Sequence, residues 1–114
     1  VFLDMDNNDQ IAYHTMGWMG NDLIASTRLY DKDQSYVGYQ SIGRVVSSPK
    51  YRRFGYGKEL MLYSIEECNR LFGKGPIKIG AQKYLLQFYS SFGFVSQEDD
   101  YLEDDIPHVH MIKA

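Results

Sequence analysis

Two hydrophobic periods divide the chain. From Gln10 to Trp18 the positions of Ile11, Tyr13, Thr15 and Trp18 make a β-favouring run, and a second such run extends from Leu23 to Tyr30. Gly20-Asn21-Asp22 between them reads as the turn of a hairpin. Upstream, Asp4, Asp6, Asn7, Asn8 and Asp9 follow a short apolar start, so Val1 to Asp9 is expected as a loop. Asp31 to Gln40 is polar, with Asp31-Lys32-Asp33-Gln34-Ser35 its clearest turn signal, and is expected to be a mobile loop. Ser41 to Val46 returns to strand, and Pro49 fits its end because proline cannot donate to a central ladder.

The period then changes to that of a helix. Leu60, Met61, Ser64, Ile65, Cys68, Leu71 and Phe72 fall on one face, while Glu59, Glu66, Glu67 and Arg70 take the other. Gly73 and Gly75-Pro76 end the helix. Cys68 lies on the apolar stripe and reads as core, with no flanking base to lower its pKa. Ile77, Ile79 and Ala81 alternate with Lys78 and Gly80, a short strand that completes a β-α-β crossover and implies a parallel pair. Lys83 to Phe92 reads as a second helix with Leu85, Leu86, Phe88, Tyr89 and Phe92 clustered on one side, closed by Gly93. Phe94 to Gln97 and His108 to Lys113 read as strands, and the carboxylate run from Glu98 to Asp105 between them reads as a solvated loop. His108 and His110 share one face of the last strand, but no Cys, Asp or Glu at ligand spacing completes a metal site, so no metal is expected.

Composition narrows the partners. A chain of 114 residues is one domain with room for a real core. A net charge of −3 argues against nucleic acid as the main partner. One cysteine cannot form an internal disulfide, and no apolar stretch is long enough to span a bilayer, so a cytoplasmic location without membrane partners is expected.

Against this acidic background the bases Lys50, Arg52, Arg53 and Lys58 gather around Gly55 and Gly57. The two glycines remove β-carbons where a backbone must approach a ligand closely, and the helix opening after them leaves its first N–H groups unpaired. Dipole and donors together suit a phosphate or pyrophosphate. The same residues also fit a plain turn before a surface helix with solvated arginines. The P-loop needs a longer spacing ending in Ser or Thr, and the dinucleotide fingerprint needs a third glycine where Leu60 stands, so neither ATP nor NAD is expected.

Arg52-x-x-Gly55-x-Gly57, after Arg44-Val45-Val46-Ser47-x-Pro49, resembles the acetyl-CoA signature of the GNAT superfamily of N-acetyltransferases. Gly80-Ala81-Gln82 followed by Phe88-Tyr89-Ser90-Ser91-Phe92-Gly93-Phe94 resembles the second GNAT signature. The closing Tyr101-Leu102-Glu103-Asp104-Asp105-Ile106-Pro107-His108-Val109-His110-Met111 resembles the ElaA-like subfamily. The resemblance implies an α/β (α+β) GNAT fold: a mixed central β-sheet flanked by helices, with a splayed central strand pair. It also implies a first strand and two helices that would precede Val1, so the chain is expected to lack them.

By the same resemblance, acetyl-CoA is the cosubstrate. Arg52, Arg53, Phe54, Gly55, Tyr56, Gly57 and Lys58 would wrap its pyrophosphate, Arg44, Val45 and Val46 would pair with its pantetheine arm, and Gln82 belongs to the second signature. Tyr89 would be the general acid, and without the resemblance it would read as a core aromatic. His14 or Glu103 is the candidate for the group that accepts the amine proton, and carboxylates of the acidic run would attract a cationic amine. His14 and Arg28, inside strands, equally fit structural pairing. Arg53, Phe54 and Asp105 depart from the family pattern, the last standing where a glycine is expected. The reading is an N-acetyltransferase acting on a primary amine, as a monomer or homodimer. Its alternatives are an acyl-CoA-sensing or interaction module without turnover, and a phosphate-binding domain for another nucleotide.

Overall fold

The hairpin expected at Gly20-Asn21 is formed. The computed structural model describes residues 2–6, 12–47 and 56–114, and in it β2 (Tyr13–Met19) pairs antiparallel with β3 (Asp22–Tyr30), Met19 facing Asp22 across the turn. Gly20 takes φ +60, the left-handed value that a two-residue hairpin loop requires and that a side chain would resist. Part of the segment expected as an N-terminal loop is instead β1 (Phe2–Asp6), paired with β2 from Phe2↔Trp18 to Asp6↔His14. Its acidic residues favour turns locally, but an open edge on β2 offers a ladder, and pairing overrides propensity. β4 (Ser41–Ser47) completes a four-stranded antiparallel sheet in the order β1-β2-β3-β4.

The loop before β4 is tied down at its end. Gln40 is buried, its backbone N–H bonds the Pro76 carbonyl (3.2 Å), and its carbonyl accepts from the Lys78 N–H (2.9 Å). Its side-chain amide donates to the carbonyl of Gly73 (2.7 Å), just past a helix end, and lies 3.4 Å from that of Phe72, the last helical residue, whose carbonyl has no internal partner. That helix is α1 (Tyr56–Phe72), whose buried positions Leu60, Met61, Ser64, Ile65 and Cys68 are those the period predicts. Ser64 Oγ sits between Thr15 Oγ1 (3.0 Å) and Thr27 Oγ1 (2.8 Å), docking the helix on β2 and β3 through three buried hydroxyls. Burial, then the Asp31 charge, pushes the Cys68 thiol up to about 12, which fits a core residue.

A second antiparallel sheet has the order β5-β8-β6, with β7 also pairing β8: β5 (Ile77–Gln82), β6 (Phe94–Ser96), β7 (Tyr101–Glu103) and β8 (Ile106–Lys113). The carboxylate run is therefore not simply a loop, because its second half is a β7–β8 hairpin turning at Asp104 (φ 52) and Asp105 (φ 62). The expected second helix is also shorter. Lys83–Leu85 is a 3₁₀ turn and only Leu86–Ser90 is α-helical (α2), because the extended Gln82 gives the turn no side-chain cap and Gly93 (φ +96) sends the chain into β6. One apolar core joins Leu29 and Ile42 of the first sheet, Met61 and Ile65 of α1, Tyr89 of α2, and Ile79 and Met111 of the second sheet.

Candidate active site

Among the described residues the backbones of the two sheets are bridged once, by the parallel pair Gln40↔Ile77 just before β4, and beyond it β4 and β5 belong to separate sheets. The parallel pair expected from the crossover is thus splayed, and backbone groups along the two facing edges have no ladder partner across the gap. Gly43 stands three residues beyond Gln40 and Gly80 three residues beyond Ile77, so both borders lack a side chain at the same level. Gly43 pairs with Arg28 and Gly80 with His110. Strand alternation puts all four on the face turned away from the core.

On the core side, the backbone of Arg44, Val45 and Val46 runs along β4 beside the gap. Arg52, Arg53, Phe54 and Gly55 lie outside the described residues, as does Lys50. Tyr56, Gly57 and Lys58 form the first turn of α1, with Gly57 and Lys58 exposed and their backbone N–H groups among those a helix start leaves unpaired. Gln82 ends β5 in extended conformation. Tyr89 is 6% exposed, its ring edge-on to Phe88 (5.2 Å) and Phe94 (6.2 Å). It shares the core with Ala81 and Val109 and therefore approaches the second sheet from the core face.

The opposite face is built of different residues. A β-carbon on Gly80 would lie 2.5 Å from Tyr101 Oη and 3.1 Å from Tyr36 Oη, so two phenol hydroxyls converge above this glycine at the rim of the gap. Burial and the nearby carboxylates Glu103 and Asp99 raise the Tyr36 pKa, and burial, Tyr36 and the same carboxylates push Tyr101 up to about 12. Both hydroxyls therefore remain protonated donors at neutral pH. Tyr101 stacks on His110 (4.5 Å, 21°) and lies tilted over His108 (5.5 Å), while Tyr36 meets His110 edge-on at 5.5 Å. Asp99 accepts from the backbone N–H of His110 (3.0 Å) and lies 2.7 Å from its Nδ1. That hydrogen bond holds the Asp99 carboxyl below the usual range. His108 is buried, its Nδ1 2.7 Å from the Ile106 carbonyl and its Nε2 3.3 Å from Glu103.

The residues singled out in the sequence are not all brought together. Glu103 belongs to the tyrosine and histidine cluster. His14 is on β2 opposite Arg28, two strands from β4 and roughly 10 Å from the gap at ordinary strand spacing. Arg28 lies 5.4 Å from the centre of the Tyr30 ring, on its own sheet. Sequence reasoning did not single out Tyr36, Tyr101 and Asp99 as site residues. The available signal was parity: on β8, His110 shares a face with His108, and the Gly80 opposite leaves that face open to long side chains from elsewhere. No group of three or more His, Cys, Asp or Glu side chains among the described residues is placed to hold a metal ion. Nor is any helix among them long and apolar enough to cross a membrane.

Comparison with known proteins follows the same lines. The family described as "Acetyltransferase (GNAT) domain" matches residues 3–114. Protein ElaA of Escherichia coli is 34% identical over 114 residues, covering 98% of this chain and 74% of that protein, and its crystal structure superposes with a TM-score of 0.79 over 90% of this chain and 68% of that one. An acyl-CoA N-acyltransferase from Pseudomonas aeruginosa, 40% identical, has a TM-score of 0.82 over the same shares of the two chains. A Bacillus subtilis acetyltransferase solved in complex with CoA shares the fold at 21% identity, with a TM-score of 0.71 over 91% of this chain and 77% of that one. The split sheet, the helix beside its opening and these matches agree: the chain belongs to the GNAT acetyltransferase family.

Proposed function

We propose that this protein moves an acetyl group from acetyl-CoA to a primary amine by direct attack within a ternary complex. The observation that carries this reading is the gap between β4 and β5 beyond the Gln40–Ile77 bridge. Its unpaired edges suit the amides of a pantetheine arm, which would lie along β4 as an added strand. The first turn of α1 beside it offers N–H donors to a pyrophosphate, with Lys58 and the arginines Arg52 and Arg53 supplying charge. The glycines Gly43 and Gly80 let the Tyr30 ring and the Tyr36 and Tyr101 hydroxyls close onto the borders of the gap, so these groups would face a thioester bound there from the far side.

The chemistry needs two proton transfers. An amine attacks a thioester only as the neutral base, so one group must take its proton, and another must protonate the departing sulfur. Tyr89 fits the second task, since its ring is fixed by Phe88 and Phe94 on the core face beside the second signature. The backbone near Val46 would polarise the thioester carbonyl. The first task falls to the far-face cluster, to which Glu103 belongs and His14 does not.

Calorimetric titration with acetyl-CoA, with ATP as competitor, followed by thiol release from a panel of primary amines, tests the proposal. Acetyl-CoA should bind and ATP should not displace it. Tyr89→Phe should lower turnover by roughly 10²–10⁴-fold while acetyl-CoA affinity stays within about twofold. A folded protein that ignores acetyl-CoA overturns the proposed function, and unchanged turnover in Tyr89→Phe removes Tyr89 from the mechanism.

A further inference from the structure

Resting on the acetyltransferase reading, we infer that His110, oriented by Asp99 and flanked by Tyr36 and Tyr101, is the general base that deprotonates a primary ammonium acceptor bound on the far face of the gap. The geometry fixes which nitrogen acts. Asp99 holds both the backbone N–H of His110 and its Nδ1, so the ring donates there and Nε2 keeps its lone pair. Among the described residues none hydrogen-bonds Nε2. Asp99 lies in the connection from β6 to β7, on the side of β8 remote from β5, so the nitrogen turned away from it is free to serve the side on which Gly80 borders the gap.

The surroundings suit a cation. Tyr36 and Tyr101 wall the imidazole with aromatic faces, and Tyr36 already holds the Lys78 ammonium 5.2 Å from its ring centre, so this face tolerates positive charge. Glu103 on β7 adds a carboxylate. The titratable and charged groups facing His110 are Asp99 from the β6–β7 connection, Tyr101 and Glu103 from β7, His108 on its own strand, Tyr36 from the loop before β4 and Lys78 from β5.

The steps balance. His110 Nε2 takes one proton from the ammonium, and the free amine attacks the thioester carbonyl carbon. The C–N bond forms and the C–S bond breaks. A second proton leaves the nitrogen, replacing the one that Tyr89 gives to the thiolate, and the proton on His110 passes to solvent.

The test uses His110→Gln, Asp99→Asn and Asp99→Glu, with tyramine, spermidine and a lysine tripeptide as acceptors. Acetyl-CoA affinity should stay within about twofold in all three variants. His110→Gln should lose roughly 10²-fold or more in kcat/KM for the amine, together with the acidic limb of its pH profile. Asp99 is a positioning residue. In Asp99→Asn the amide donates to Nδ1, the proton moves to Nε2, and the pH limb should vanish although the fold is unchanged, whereas Asp99→Glu should recover part of the rate. His110→Gln with wild-type rate and pH profile overturns the inference. Acetyl-CoA binding with no thiol release from any of the amines overturns the amine site alone, while absent acetyl-CoA binding overturns the underlying acetyltransferase reading.

Discussion

The core-facing and outward faces of the two sheets are built by different rules. On the core side, Leu29, Ile42, Ile79 and Met111 meet α1 and α2 in one apolar layer, and the polar groups within it satisfy one another, as Ser64, Thr15 and Thr27 do. On the outward side, two glycines border the gap, and tyrosines, histidines and carboxylates converge from the loop before β4, from the β6–β7 connection, from β7 and from β8. The first face holds the fold and the second presents chemistry. The difference teaches where substitutions should register: core-side changes should appear in stability first, and outward changes in turnover first.

Gln40 joins both regimes and should give the largest stability effect. It caps α1 through the Gly73 carbonyl, accepts from the Cys68 thiol (3.4 Å), and through its backbone closes the end of the gap. Gln40→Leu keeps the backbone bridge but leaves the exposed Gly73 carbonyl to water and the buried Cys68 thiol without a partner. A loss of about 1–2 kcal/mol is expected in urea unfolding. A value near zero would mean that water replaces the amide there and that the junction does not depend on this side chain.

Ser64→Ala is the purer core-side probe. It removes one member of the hydroxyl triad, yet Thr15 and Thr27 remain bonded to each other, so no donor is wholly stranded. A loss of about 1 kcal/mol is expected, with amine turnover at the wild-type level in the folded fraction. Lost turnover with unchanged stability would reverse the division between the two faces.

What was legible in the sequence follows that division. The stripe of α1 and the hairpin at Gly20-Asn21 could be read because each depends on local spacing, and so could the paired signatures around Gly57 and Tyr89. β1 was hidden, since Asp4 and Asp6 speak locally for turns and only the edge of β2 makes them strand. The outward cluster was hidden for a related reason. Tyr36, Gly80, Asp99, Tyr101 and His110 are scattered along the chain and meet only through the β5–β8 and β7–β8 registers. His110 was visible as half of a histidine pair, but the partner that gives it meaning is Asp99, eleven residues upstream across a strand connection.

The smallest predicted effect probes the turn that carries this cluster. Asp104 and Asp105 both take left-handed φ, 52° and 62°, the conformation of a two-residue hairpin loop for which Asp-Gly is among the favoured pairs. A side chain at the second position meets its own backbone unfavourably there, and Asp105 adds a negative charge beside Asp104 and Glu103. Asp105→Gly should therefore raise stability, by about 0.5–1 kcal/mol once the added freedom of glycine in the unfolded chain is subtracted. The register Tyr101↔His108 is set by strand pairing and not by the carboxylate, so the rate with amine acceptors should not change. Thermal unfolding and thiol release on the same preparation separate the outcomes. A gain in Tm with unaltered turnover confirms that Asp105 serves only the turn, whereas a drop in turnover would place its carboxylate among the groups that draw the cationic acceptor to the outward face.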